Sequence, residues 1–136
     1  FAEEVNVVRT TTVGAAPELS HIMNSEEIVA AQELVRRVPV ADNVIEYAVK
    51  LVRSTRPGSD AADIVKKFIS YGAGPRASQY LILGAKSRAA LAGRYTPSIE
   101  DVNAVATSVL RHRIVTNFTA EAEGVTTDVV VKTLLG

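Results

Sequence analysis

The sequence has no cysteine, which excludes disulfide bridges and thiolate metal sites. It has no apolar run of about 18 residues, so no membrane-crossing helix is expected, and no signal-peptide pattern opens it. Of its two histidines, neither His21 nor His112 has ligand partners at metal spacing, and both read as solvated or core residues. The patterns GxSxG and HExxH do not occur. The sequence alone contains no complete catalytic site.

What is present is enough for one domain: 136 residues can bury a substantial core without staples. The first residue is Phe1, and FAEEVNVV reads as a helix entered partway. The expectation is a fragment of a longer protein, residues 1–136 forming a single domain, with the cytoplasm as the default location. Formal net charge is zero but unevenly placed. Residues 1–42 carry three Arg against seven acids, a net of −4. Residues 43–113 carry eleven Lys/Arg against five acids, a net of +6, and residues 114–136 have a net of −2. An anionic partner would meet the basic middle, although a solvated face balanced elsewhere gives the same count.

The patterning is helical nearly throughout. AEEVNVVRTT, Ala2 to Thr11, reads as a short helix followed by a loop around Gly14 to Pro17. Asn24 and Glu27 form a capping-box start for SEEIVAAQELVRRV, whose apolar face is Ile28, Ala31, Val35 and Val38, and Pro39 stops it. Asp42 is placed to cap NVIEYAVKLVRSTR, with Ile45, Ala48, Val49 and Val52 facing inward and Glu46–Lys50 paired outside. After Pro57-Gly58, ADIVKKFISYG fits a short helix or a strand.

Pro75 then starts a long helix that ends near Gly93. Small residues within it (Ala77, Gly84, Ala85, Ala89, Ala92) allow a neighbouring helix to approach closely. Ser98 and Asp101 open another helix, with the stripe Val102, Val105, Ala106, Val109 and Leu110. HRIVTNF is briefly β-like, and VTTDVVVKTLL is a final short helix. IVKKFIS and RIVTNF are able to pair as a two-stranded ribbon. The expected fold is mainly α, a compact bundle of five or six helices.

Two short motifs are set aside. Gly84-Ala85-Lys86-Ser87 resembles the end of a phosphate-binding P-loop, but that pattern requires Gly at positions 85 and 80, where Ala85 and Tyr80 stand. A helix interior also leaves no free amides to cradle phosphate. Asn117-Phe118-Thr119 matches a glycosylation sequon without any sign of secretion.

Arg76 is the residue that local rules do not explain. It follows Pro75, in the first helical turn, where the macrodipole disfavours a cation by roughly 0.3–1 kcal/mol. Either it is solvated there or an anion usually sits beside it. Other arginines have sufficient structural readings. Arg53 and Arg56 end a helix, Arg88 can snorkel over the core, and Arg94 and Arg113 can pair or solvate helix ends.

Three elements in register carry a family likeness: Gly72-Ala73-Gly74-Pro75-Arg76-Ala77, then GRYTPSIEDV (Gly93 to Val102), then VLRHRI (Val109 to Ile114). Together with NSEEIVAAQELVRRVPVADNVIEYAVKLVRSTR, they resemble the C-terminal lid domain of MoxR-type AAA+ ATPases. Gly74 stands where the family commonly has Ser, which removes a side-chain cap. The resemblance implies an AAA+ lid fold without its nucleotide-binding core. It makes Arg76 the sensor-2 arginine, aimed at the phosphates of ATP, and Gly72, Ala73, Gly74 and Pro75 the rest of the nucleotide-binding element.

It further implies ATP and magnesium in the intact parent, which would hydrolyse ATP where the fragment alone would not. The implied partners are the core of the same polypeptide, neighbouring subunits of a homo-oligomeric ring (a hexamer) and a von Willebrand factor A-domain protein, in a chaperone-like role. The residues also leave open a helical nucleic-acid-binding module or a purely structural interaction domain. Against nucleic acid, the turn AGRYTPS is long for a helix-turn-helix and SIEDVNAV begins acidic.

Overall fold

The computed structural model describes residues 1–14 and 19–136. Among the described residues there are eight helices and one two-stranded ribbon, so the mainly helical reading holds with more helices than the five or six expected. In chain order they are α1 (Ala2–Thr11), α2 (Ser25–Arg37), α3 (Asp42–Ser54), α4 (Asp63–Phe68), β1 (Ile69–Tyr71), α5 (Pro75–Leu91), α6 (Ile99–Leu110), β2 (Val115–Thr116), α7 (Phe118–Ala122) and α8 (Thr127–Leu135). The chain divides into a small unit, Phe1–Ala30, and a larger one, Ala31–Gly136, with α2 crossing the boundary.

In the small unit α1 has the expected limits and no buried residue. Its last turn is closed by the Thr10, Thr11 and Thr12 hydroxyls, which donate to carbonyls of the preceding turn. The loop expected up to Pro17 falls in part on residues 15–18, outside the described residues. The capping box that starts α2 forms as expected. Asn24 Oδ1 accepts from the Glu27 N–H at 2.9 Å, and Glu27 Oε2 accepts from the Asn24 N–H at 2.8 Å. The expected inward face of α2 is not buried, however: Ile28 and Ala31 are exposed, and Val35 and Val38 are half-buried.

The larger unit holds the core. Leu81, Leu110, Val52, Val65, Val102, Val130 and Val131 are all fully buried, each contributing about 1.5–3 kcal/mol of apolar transfer. Helices α5 and α6 form its centre and run antiparallel. Arg94 contacts Asp101 near their connecting turn, Gly84 meets Val105 midway, and Arg113 reaches Tyr80 at the far end. A Cβ on Gly84 would lie 3.2 Å from Val105 Cγ2, and Ala77, Ala85 and Ala89 are fully buried. The small residues of α5 therefore do allow close helix approach.

Helix α3 differs from expectation in two respects. Asp42 is its first residue, not its cap; the N-cap is Ala41, with no side-chain bond. The buried residues are Val44, Ala48, Leu51 and Val52, whereas Ile45 and Val49 remain about 40% exposed (41% and 40%). Apolar residues cover so wide an arc of this helix that periodicity cannot choose the face. Packing against α5 and α6 chooses it, with the Tyr47 hydroxyl donating to Asn103 Oδ1 at 2.7 Å. The outward Glu46–Lys50 pair forms at 3.5 Å.

The segment ADIVKKFISYG is both things at once, helix α4 passing directly into strand β1. β1 pairs antiparallel with β2, Ile69 opposite Thr116 and Tyr71 opposite Val115. The expected ribbon therefore exists, in shorter form. Helix α7 was not expected. Asn117, set aside above as a sequon, is its N-cap: Oδ1 accepts from the Ala120 N–H at 3.0 Å and Nδ2 donates to the Lys67 carbonyl at 2.8 Å. Asn117→Ala removes the cap and the tie to α4. A loss of about 1–2 kcal/mol is expected in urea unfolding.

Candidate functional site

The segment Gly72–Arg76 is shaped by the end of α3. Thr55, fully buried, donates its hydroxyl to the Val52 carbonyl at 2.6 Å and accepts from the Ala73 N–H at 2.9 Å. Arg56 Nε donates to the Ala73 carbonyl at 2.9 Å. Gly72 lies against the same corner, where a Cβ would stand 2.5 Å from the Thr55 carbonyl oxygen. Both backbone groups of Ala73 are thus used inside the domain, and its side chain is fully buried. Its position makes it the anchor of the segment.

Beyond that anchor the chain turns outward. Gly74 is the N-cap of α5, with φ −84° and no side-chain bond, and Pro75 occupies the first turn. The Ala77 N–H turns back to the Gly74 carbonyl at 3.0 Å, while Ala77 itself is buried under the helix. Arg76 projects on the exposed side. None of the ion pairs or side-chain hydrogen bonds among the described residues involves its guanidinium. The helix start is held from beneath by Thr55 and Arg56 and, among the described residues, offers an unpaired cation at its positive end.

The other arginines singled out by sequence divide clearly. Arg94 Nη1 and Nη2 donate to Asp101 Oδ2 and Oδ1, both at 2.6 Å, and Arg88 Nε lies 3.5 Å from Oδ1. Asp101, with a side chain only 3% exposed, also accepts from the Ser98 N–H at 3.0 Å in the expected capping box. The Arg94 hydrogen bonds hold the Asp101 carboxyl well below the usual carboxylate range, against the opposing effect of burial. The same bond raises Arg94 above its ordinary value. Arg88 is therefore an ion-pair partner and does not merely snorkel.

Arg56 goes to the Ala73 carbonyl and so belongs to the floor of the candidate site, a role its helix-end position did not reveal. Arg113 lies with its guanidinium carbon 4.8 Å over the Tyr80 ring. Lys86, in the P-loop-like stretch, is mid-helix and donates to the Arg36 carbonyl at 2.9 Å. Among the described residues no group of three acids and histidines is gathered for a metal. Thr55 is the residue that sequence reasoning missed altogether, since a threonine at a helix end gives no signal of a partner 18 positions away.

Comparison with known proteins bears on this geometry. The family model described as the AAA lid domain matches residues 61–134. The protein named Chaperone MoxR1 from Mycobacterium tuberculosis is 32% identical over 120 residues, which make up 88% of this chain and 32% of that protein. The crystal structure of a "putative ATPase" from Cytophaga hutchinsonii superposes with a TM-score of 0.84 at 29% identity, covering 98% of this chain and 41% of that one. The chain thus spans about a third of the length of the curated relative it matches.

Proposed function

This chain belongs to the AAA lid domain family, in its MoxR-type branch, and from that premise we propose that it closes over ATP bound to a nucleotide-binding core in the same polypeptide. Arg76 would be the sensor-2 residue, contacting the phosphates. The observation that carries this reading is an exposed guanidinium with no internal partner among the described residues, on a helix start pinned by Thr55, Arg56 and Gly72. Two unfavourable features, a cation and a positive helix end, become favourable together once a polyphosphate occupies the point they share.

An exposed arginine at a helix start suits the phosphate end of the nucleotide. Magnesium, which neutralises developing charge on the phosphates, would be held by acids of the core, as would the water-positioning group. Gly72, Gly74 and Pro75 shape the approach of Arg76, and Ala73 anchors it. The intact protein would hydrolyse ATP and pass lid closure to the next subunit of a homo-oligomeric ring, a hexamer. It would act as a chaperone-like motor in the cytoplasm, with a von Willebrand factor A-domain protein as partner. The name of the M. tuberculosis relative supports the chaperone element of this reading.

The test is steady-state ATPase turnover of the full-length protein, wild type against Arg76→Ala, with ATP binding measured alongside. Turnover should fall at least tenfold, about 1.4 kcal/mol of barrier. The stability of the lid should stay within about 0.5 kcal/mol, because an exposed side chain without partners is removed. Unchanged turnover and unchanged binding would overturn the sensor assignment.

A further inference from the structure

Arg113 lies in the VLRHRI element, and the function proposed above gives it no part. Helix α6 ends at Leu110, and the Arg113 N–H donates back to the Leu110 carbonyl at 2.9 Å. This turn delivers the side chain to the end of the hairpin where α5 begins. Its Nη1 donates to the Val109 carbonyl at 2.6 Å and touches the His112 ring nitrogen Nε2. The guanidinium covers Tyr80, and Tyr80 is one helical turn after Arg76, a spacing that brings Cβ atoms within about 5–6 Å. Arg76 and Tyr80 therefore share one face of α5, and Arg113 lies over the Tyr80 ring of that face.

Among the described residues no carboxylate forms an ion pair with either cation. The ion pairs among the described residues use Lys50, Lys67, Arg88, Arg94 and Arg111. Arg111, two positions away, is matched to Asp128 at 2.8 Å. Among the described residues the fold thus supplies acids to Arg88, Arg94 and Arg111 and none to Arg113 itself. Capping of α6 accounts for the Val109 bond but does not require the Tyr80 ring. The Tyr80 ring lies beneath the guanidinium, and a guanidinium with five donors keeps several free after the Val109 bond and the His112 contact. Two cations beside one aromatic side chain suit an extended anion carrying several charges.

We propose that Arg113, positioned by Tyr80, is a second phosphate-binding cation of the site that Arg76 serves, and that its ligand is the phosphate chain of a nucleoside triphosphate. This rests on the nucleotide reading of Arg76 above. Arg113 binds the triphosphate at the same end of the lid hairpin, and Tyr80 acts through it as a positioning residue.

The experiment measures ATP and ADP dissociation constants and kcat/KM for the full-length protein. The variants are Arg76→Ala, Arg113→Gln, Arg113→Lys and Tyr80→Leu, with melting temperatures recorded for each. Arg113→Gln should weaken ATP binding or lower kcat/KM about five- to twentyfold, with a smaller effect on ADP. Arg113→Lys should recover part of the loss, and Tyr80→Leu should lose part of it. A helix cap alone predicts a lower melting temperature for Arg113→Gln with ATP affinity unchanged.

That result, beside a clear defect in Arg76→Ala, overturns the role of Arg113 and leaves the nucleotide reading standing. Wild-type behaviour of both Arg76→Ala and Arg113→Gln overturns both. If Arg113→Gln does not fold, Arg113→Lys and Tyr80→Leu decide. Wild-type ATP affinity and kcat/KM in Tyr80→Leu, with Arg113→Lys lowering only the melting temperature, also overturn the proposal.

Discussion

Asp101→Ala is expected to destabilise the chain by about 3 kcal/mol, roughly 10 °C in melting temperature for a domain of this size. The side chain is 3% exposed and does two jobs at once. It satisfies the Ser98 N–H at the start of α6, a cap worth about 1 kcal/mol. It also receives both Arg94 donors at 2.6 Å, and bonds to charged groups contribute about 1.5–3 kcal/mol. Alanine loses both. Asp101→Asn should lose less, because an amide oxygen can still accept from Ser98 while occupying the same volume.

The acid limb of the stability curve follows from the depressed carboxyl of Asp101, caused first by Arg94. In the unfolded chain Asp101 titrates near its ordinary value, about 3.9, while in the folded chain it stays ionised further down. The unfolded state therefore binds more protons, and stability rises with pH across that interval. The contribution is fully present above about pH 5 and is lost as pH falls below about 4 toward the folded value. Urea unfolding at pH 7 and pH 3 should show the gap between wild type and Asp101→Asn narrowing at the lower pH. A gap that is unchanged or wider at pH 3 would contradict this account.

Features that depend on neighbours in sequence were legible without a structure. Pro75 at a helix start, Gly93 at a helix end with φ +67°, and the capping pairs Asn24–Glu27 and Ser98–Asp101 are set within a few residues. Arg76 stood out for the same reason, because the conflict between a cation and a helix N-terminus is local. What failed depended on packing. Ile45 and Val49 have the same apolar character as Val44 and Leu51, and only the approach of α5 and α6 decides which pair is covered. Helix α7 is five residues long, too short for a period, and its cap Asn117 took its meaning from Lys67 and Ala120. Tyr80 beneath Arg113 joins α5 to the turn after α6 and leaves no trace in either segment.

Gly72 and Gly74 make the same point as a prediction, since they are two residues apart and should respond very differently to alanine. At Gly72 a Cβ would meet the Thr55 carbonyl oxygen at 2.5 Å and Arg56 Cα at 2.6 Å. These are backbone atoms at the end of α3 and cannot rotate away. Gly72→Ala must push the segment off Thr55, straining the bonds that Thr55 and Arg56 make to Ala73. Overpacking of this kind costs about 1–3 kcal/mol, and a weakened buried bond adds about 1 kcal/mol. The expected loss is about 3 kcal/mol in urea unfolding.

At Gly74 no atom stands within 4 Å of the added carbon, and φ of −84° suits any residue. Gly74→Ala should therefore stay within about 0.5 kcal/mol of wild type. The contrast extends to activity if Arg76 works from a fixed position. A shift of about 1 Å in a positioning element can cost on the order of 100-fold in rate. Full-length Gly72→Ala, assayed well below its melting temperature, should therefore lose turnover beyond its unfolded fraction. Gly74→Ala should keep turnover within about threefold, because the anchor beneath Arg76 is intact. Equal turnover in the two variants, with Gly72→Ala destabilised as expected, would mean that Arg76 does not depend on its anchor.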